Sequence, residues 1–214
     1  MAITIYMNDT TFREDGAIYT YLQTTWAGAR DATTGTVYDT GGANSTGIRD
    51  GRFPGRGAGY FYSVSRSFLQ FDTSTILTRP NSCQIGIYGY LNGVGRVNCV
   101  KATAVPFLNA TDFDAIEGWV AGVDNSGNVT PYAVEIGSWS TSGYNYFQAN
   151  DTALDDMTAN STLEVCLLGR GDLRNISPSS DLKNGLYFSE SGTITGPKLV
   201  YVPSTDAVFF GANF

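Results

Sequence analysis

Apolar and polar residues alternate at every second position in short stretches along the whole chain, with Gly, Ser, Thr and Asn clustered between them. That period belongs to a strand with one buried face. AITIYM (2–7), GAIYTYLQTTWAG, GTVYDT, RSFLQFDTSTI, SCQIGIYGYL, VNCVKATAV, PYAVEI, YNYFQA, TLEVCLL, GLYFS and KLVYV thus predict about ten strands. SCQIGIYGYL puts Cys83, Ile85, Ile87 and Gly89 on a core face, and Gln84, Gly86, Tyr88 and Tyr90 on a half-buried aromatic one. In RSFLQFD, Phe68 and Gln70 point one way and Leu69 and Phe71 the other.

Helical spacing is rare. In TDFDAIEGWV (111–120), Phe113, Ile116 and Val120 fall at i, i+3 and i+7, and Thr111 and Asp114 resemble a weak capping pair. That predicts one short helix, and TALDDM predicts a helical turn capped by Thr152. Residues 41–59 hold seven Gly and three Arg without periodicity, which predicts a long loop. Its Arg49, Arg52, Phe53 and Arg56 make a candidate partner-contact loop, because Arg and aromatic side chains anchor interfaces; the alternative is a solvated excursion. Phe209, Phe210 and Phe214 in the tail are a candidate terminal anchor. Strands without αβ alternation predict an all-β fold. The expectation is a single antiparallel β-sandwich, jelly-roll-like, with one or two short helices, forming one domain over residues 1–214.

Composition narrows the chemistry. The chain has no His, so Ser-His-Asp triads, Cys-His dyads and His-rich metal sites are excluded. Carboxylates cluster at Asp112, Asp114 and Glu117 and at Asp155 and Asp156. A glycosidase needs two of them across a cleft, and helix-start chemistry explains them equally. The expectation is a protein that is not an enzyme. DNSGN at 124–128 reads as a turn rather than a calcium loop, since it lacks EF-hand spacing. No cofactor is expected, and a structural calcium is the one metal considered.

The net charge of −7 argues against a nucleic-acid partner. Residues 1–100 hold eight basic and seven acidic residues, whereas residues 101–214 hold five and thirteen. No apolar run approaches a membrane span, and the start has no signal-peptide pattern. Cys83, Cys99 and Cys166 lie in apolar strands and are expected buried and reduced. Trp26, Trp119, Trp139, Tyr144 and Tyr146 are the candidate glycan platform, against the commoner fate of core packing.

Three motifs carry a resemblance. RSFLQFDTSTI (66–76) resembles the R-x-x-L-x-F-D-x-S-x-I motif of the DNRLRE family of β-sandwich domains, related to the carbohydrate-binding-module-96 group. SCQIGIYGYL is similar to the strand after it, and YFSESGTITGPKLVYV (187–202) to the closing pattern. YNYFQANDTALDDM and TLEVCLLGRG are similar to segments between, so the likeness spans residues 17–202, leaving the first strand and 203–214 as interaction arms. It implies that Arg66 and Asp72 flank a core strand and satisfy loop backbone or each other's charge. Phe68, Leu69 and Phe71 would fill the sandwich, and Pro197 would open the last strand. It also implies one of two settings: secreted glycan-binding modules or stand-alone tailed-phage virion proteins. Without a signal peptide or attached enzyme, the second is expected. The chain would then be a capsid decoration or auxiliary head protein, assembled in the host cytoplasm. It would contact other virion proteins as a homo-oligomer or lattice-bound monomer. The alternatives are a tail or fibre component, or a module that binds a glycan through exposed Trp and Tyr.

Overall fold

The computed structural model describes residues 1–7, 15–38, 44–55, 57, 59–92, 95–104 and 108–204. Its strands in chain order are β1 (Ile3–Tyr6), β2 (Asp15–Gln23), β3 (Thr36–Tyr38), β4 (Asn44–Pro54), β5 (Tyr60–Asp72) and β6 (Ser82–Asn92), then β7 (Val97–Lys101), β8 (Tyr144–Gln148), β9 (Thr162–Gly169), β10 (Leu182–Tyr187) and β11 (Lys198–Val202). The helices are short: α1 (Trp26–Arg30), α2 (Asp151–Ala159), α3 (Arg170–Leu173) and α4 (Gly192–Thr195). All the strand pairs are antiparallel, and the fold is an all-β sandwich. One layer runs β8-β6-β11-β1, and the other runs β10-β4-β5-β2-β3, with β9 beside β5 and β7 beside β9. Strand β10 also pairs with β6 and joins the layers. Among the described residues, no helix is long and apolar enough to cross a membrane.

Two cores result from the alternation. Ile85, Ile87, Phe147 and Leu199 of the first layer meet Leu69, Phe71, Val165 and Leu167 of the second. The opposite face of the second layer carries Ile18, Val64, Phe68, Cys166 and Leu168, covered by Ala29 of α1 and by Phe113 and Ile116 from the coil after β7. Strand β9 is thus apolar on both faces, which is why TLEVCLL reads as a continuous run. All three cysteines are free and buried as expected, and burial pushes the Cys83 thiol up to about 12.

Several expectations are corrected. Residues 44–54 are not a loop: β4 pairs with β5 on one side and β10 on the other. The glycines that hid this strand are required by packing. A Cβ on Gly47 would strike Leu186 and Ser67, and one on Gly51 would strike Phe53. The 111–120 helix is absent. A 3₁₀ turn covers Ala110–Asp112, and its capping box is Asn109 with Asp112 rather than Thr111 with Asp114. Helix continuation fails at Gly118, where φ is +79° and the Asn128 carbonyl fills the position of a Cβ. PYAVEI forms only isolated bridges at Pro131, Ala133 and Ile136. The DNSGN turn is present, with Asp124 Oδ1 accepting from Ser126 N at 2.8 Å.

Helix α2 is capped by Asn150 rather than Thr152. The Asn150 side chain accepts from Ala153 N at 3.0 Å and donates to Pro131 O at 2.7 Å. Asn150→Ala is therefore expected to cost about 1–2 kcal/mol. The readout is a lower urea midpoint at unchanged slope; an unmoved midpoint would show that the cap carries no stability.

Candidate functional site

The outward face of the first layer gathers tyrosines. Register sets it: Tyr6 lies opposite Lys198, Lys198 opposite Gly86, and Gly86 opposite Tyr146, forming one row across β1, β11, β6 and β8. Tyr88 lies opposite Tyr144 in the same orientation. Directly opposite residues in an antiparallel pair share a face, so these side chains stand together. Gly86 lets the neighbouring side chains close down on the sheet. A Cβ there would come within 2.9 Å of the Tyr146 ring, 3.2 Å of the Lys198 stem and 3.3 Å of the Tyr144 ring.

The rings of Tyr144 and Tyr146 are near parallel, 27° apart with centroids at 5.7 Å. The Lys198 Nζ sits 3.5 Å from the Tyr144 ring centre. Tyr88 meets Tyr144 edge-on at 5.2 Å, and Tyr187 of β10 extends the group by edge contacts to Tyr88 and Tyr90. The Tyr144 hydroxyl donates to the carbonyls of Ile194 and Gly196. Burial and the neighbouring tyrosines push its pKa up to about 12, so it stays a neutral donor. Tyr146 remains open, 42% exposed. Thr4, Gln84, Gln148 and Val200 form the adjoining row. None of these residues is acidic, although the chain has 20 Asp and Glu. Such a face offers ring surface, amide and hydroxyl groups and one ammonium.

Of the five expected platform residues, only Tyr144 and Tyr146 meet here. Trp139 is 4% exposed in the main core and donates to Gly185 O at 3.0 Å. Trp26 donates to Asn175 Oδ1 and leans on Tyr62. Trp119 covers the guanidinium groups of Arg30 and Arg66 at 4.5 and 4.0 Å. An indole N–H that needs a buried acceptor explains the first two. Tyr6, Tyr187 and Lys198 were missed, although the alternation in AITIYM and KLVYV carries the signal for Tyr6 and Lys198.

The expected contact loop is instead part of the sheet. Arg49 pairs with Asp181 at 2.8 and 2.9 Å and lies over Phe53. Arg52 stacks on Tyr60 at 3.5 Å. Arg56 lies outside the described residues, as do Phe209, Phe210 and Phe214. The clustered carboxylates hold structure. Asp112 closes the capping box, Asp155 pairs with Arg79, and Lys101 holds both Glu117 and Asp156.

A buried ion cluster lies beneath Trp119. Arg66 binds Asp172 through Nε and Nη2 at 2.7 and 2.8 Å and donates to the carbonyls of Phe113 and Arg30. Arg30 donates to the Asp172 carbonyl at 2.6 Å and to Val123 O at 2.7 Å, and pairs with Asp31. The side chains of Arg30, Arg66 and Asp172 are all 0% exposed. Arg66 thus satisfies loop backbone as expected, but its charge partner is not Asp72. Asp72 is exposed and accepts from Ser74 N.

The geometry defines an antiparallel β-sandwich with an open tyrosine-lined sheet face. No protein-family model matches the chain, and no curated protein matches it. Among solved structures, it is similar to the K1 cleaved adhesin domain of Lys-gingipain from Porphyromonas gingivalis W83. Identity is 8% and the TM-score 0.31, over 95% of this chain and 99% of that one. That likeness is too distant to carry any residue across.

Proposed function

We propose that this chain is a non-catalytic recognition module whose tyrosine face takes up a carbohydrate chain. The observation that carries the reading is the parallel Tyr144–Tyr146 pair beside Gly86, with Tyr146 open to solvent. A sugar ring laid on Tyr146 would bury apolar C–H surface against the ring. Lys198 in the same row, and Gln84 and Gln148 in the adjoining one, are within the same face to meet hydroxyls.

Binding on a glycan array, followed by calorimetry, tests it. Tyr146→Ala is expected to weaken the best ligand about tenfold or more, since truncating an aromatic anchor costs over 1 kcal/mol. Gly86→Ala is expected to weaken it as well, by pushing the Tyr146 and Tyr144 rings out of their present positions, with unfolding still cooperative. An array without signal, or a Tyr146→Ala protein that binds normally, sinks the reading.

Tyrosine enrichment also favours a protein partner. In that second reading, the same face seats the chain among the proteins of a tailed-phage particle, on the head as a decoration protein or in a tail or fibre. Mass spectrometry of purified particles tests that placement, and its absence from them removes it.

A further inference from the structure

A cavity of about 350 Å³, lined by none of the residues of the tyrosine face, opens beside α3. Ile176, Pro178 and Leu182 supply apolar wall, and Arg96 and Arg170 supply half-exposed guanidinium groups. The buried ionisable group among its lining residues is Asp50 of β4. The Gly171 and Asp172 N–H groups hold the Asp50 carboxyl, Oδ2 accepting from Gly171 N at 2.8 Å, whereas Oδ1 has no hydrogen-bond partner. The space for this carboxyl is kept by glycine, because a Cβ on Gly169 or Gly171 would run into it.

Among the described residues, the arginines that line the cavity or act on Asp50 are engaged elsewhere. The Arg66 donors go to Asp172 and to two backbone carbonyls. Arg96 pairs with Glu135 at 3.0 Å, and Arg170 lies 3.9 Å from the same carboxylate. A buried acceptor without a donor costs stability. Here the residue that carries it lines a cavity of ligand size, so a small shift of the carboxyl lets the missing donor arrive from outside.

We propose that this cavity binds a small zwitterion of the amino-acid class. Its ammonium donates to Asp50 Oδ1, and its carboxylate faces Arg96 and Arg170 in place of Glu135. A neutral polyol would also supply a donor, but it leaves the buried charge of an ionised Asp50 without a counter-ion of its own, since Arg66 is spent on Asp172. The charged groups around Asp50 are Asp172 on α3, Arg66 on β5, Arg170 on α3, and Arg96 with Glu135. Burial first, and then Asp172, raise the Asp50 pKa to about 7. An ammonium binds the ionised carboxylate, so affinity rises with pH.

The test is calorimetry and amide-shift NMR on the full chain with glycine, γ-aminobutyrate and L-lysine, at pH 5.5 and pH 8. Butylammonium and 1,4-butanediol serve as controls. At least one zwitterion is expected to bind, about 30-fold more tightly at the higher pH, and Asp50→Asn is expected to lose it. Should Asp50→Asn not fold, the double variant Arg96→Gln/Arg170→Gln serves. It is expected to weaken the zwitterion and leave butylammonium unchanged. Three results would overturn the proposal: no zwitterion bound at any soluble concentration, butanediol bound equally well, or unchanged affinity in the variants.

Discussion

Asp172→Ala is expected to lower the unfolding free energy by about 3–5 kcal/mol, the largest effect of any single substitution considered for this chain. The Asp172 carboxylate takes two donors from Arg66 and lies 3.8 Å from the Arg30 Nε, with no side-chain exposure on any of the three. Removing it strands the Arg66 guanidinium under the Trp119 ring, beside an Arg30 that keeps only Asp31 as a counter-charge, in a layer otherwise built of Phe68, Cys166, Leu168 and Phe113. Desolvation that the carboxylate offsets then falls on the cations alone. The pair as a whole is another matter: two charges replaced together by apolar groups of similar volume are often neutral or stabilising. The double variant Arg66→Met/Asp172→Leu is therefore expected to recover much of the loss. Denaturant unfolding of the three variants checks both statements. A cost below about 1 kcal/mol for Asp172→Ala is the value of an exposed pair and would refute the buried cluster.

That cluster also shows where the sequence stops being readable. Strands β6 and β8 were legible because one face of each is apolar and the other polar or aromatic, so a period of two is written in SCQIGIYGYL and YNYFQA. The tyrosine face follows from that alternation plus register. Strand β4 was not legible. It lies between two strands, its glycines sit where Leu186 and Phe53 need room, and its polar residues Arg49 and Asp50 have distant partners. Arg66 stands at a core position of β5, and its partner lies 106 residues away. A charged residue facing a core looks like an edge or a loop until that partner is known. The tryptophans misled for a related reason. Their large apolar area suggests a ligand platform, but a polar N–H lets them be buried wherever a carbonyl or amide waits, as at Gly185 and Asn175.

Stability should fall as pH rises from about 4 to about 7, with Asp50 as the cause. Its carboxyl is buried beside Asp172, and its pKa is raised from 3.8 to about 7. The folded chain therefore holds a proton there that the unfolded chain has already released. A raised pKa gives stability that is complete below the unfolded value and lost as pH climbs through the folded one. The gap corresponds to about 4 kcal/mol, spread across that window and constant above it. The chain has no His to titrate in the same range. Glu164, also raised by burial, adds to the fall with the same sign. Asp72 and Asp124, lowered by their bonds to Ser74 and Ser126, act with the opposite sign and at lower pH. Asp50→Asn removes the main titrating group and leaves only the smaller Glu164 contribution, so its stability should fall much less from pH 5 to 8. It should also exceed that of the parent at pH 8, where the parent carries the unpaired charge. Urea unfolding of both proteins at half-unit steps decides it: a parent whose stability is flat across the window, or an Asp50→Asn protein with the same slope, assigns the titration elsewhere.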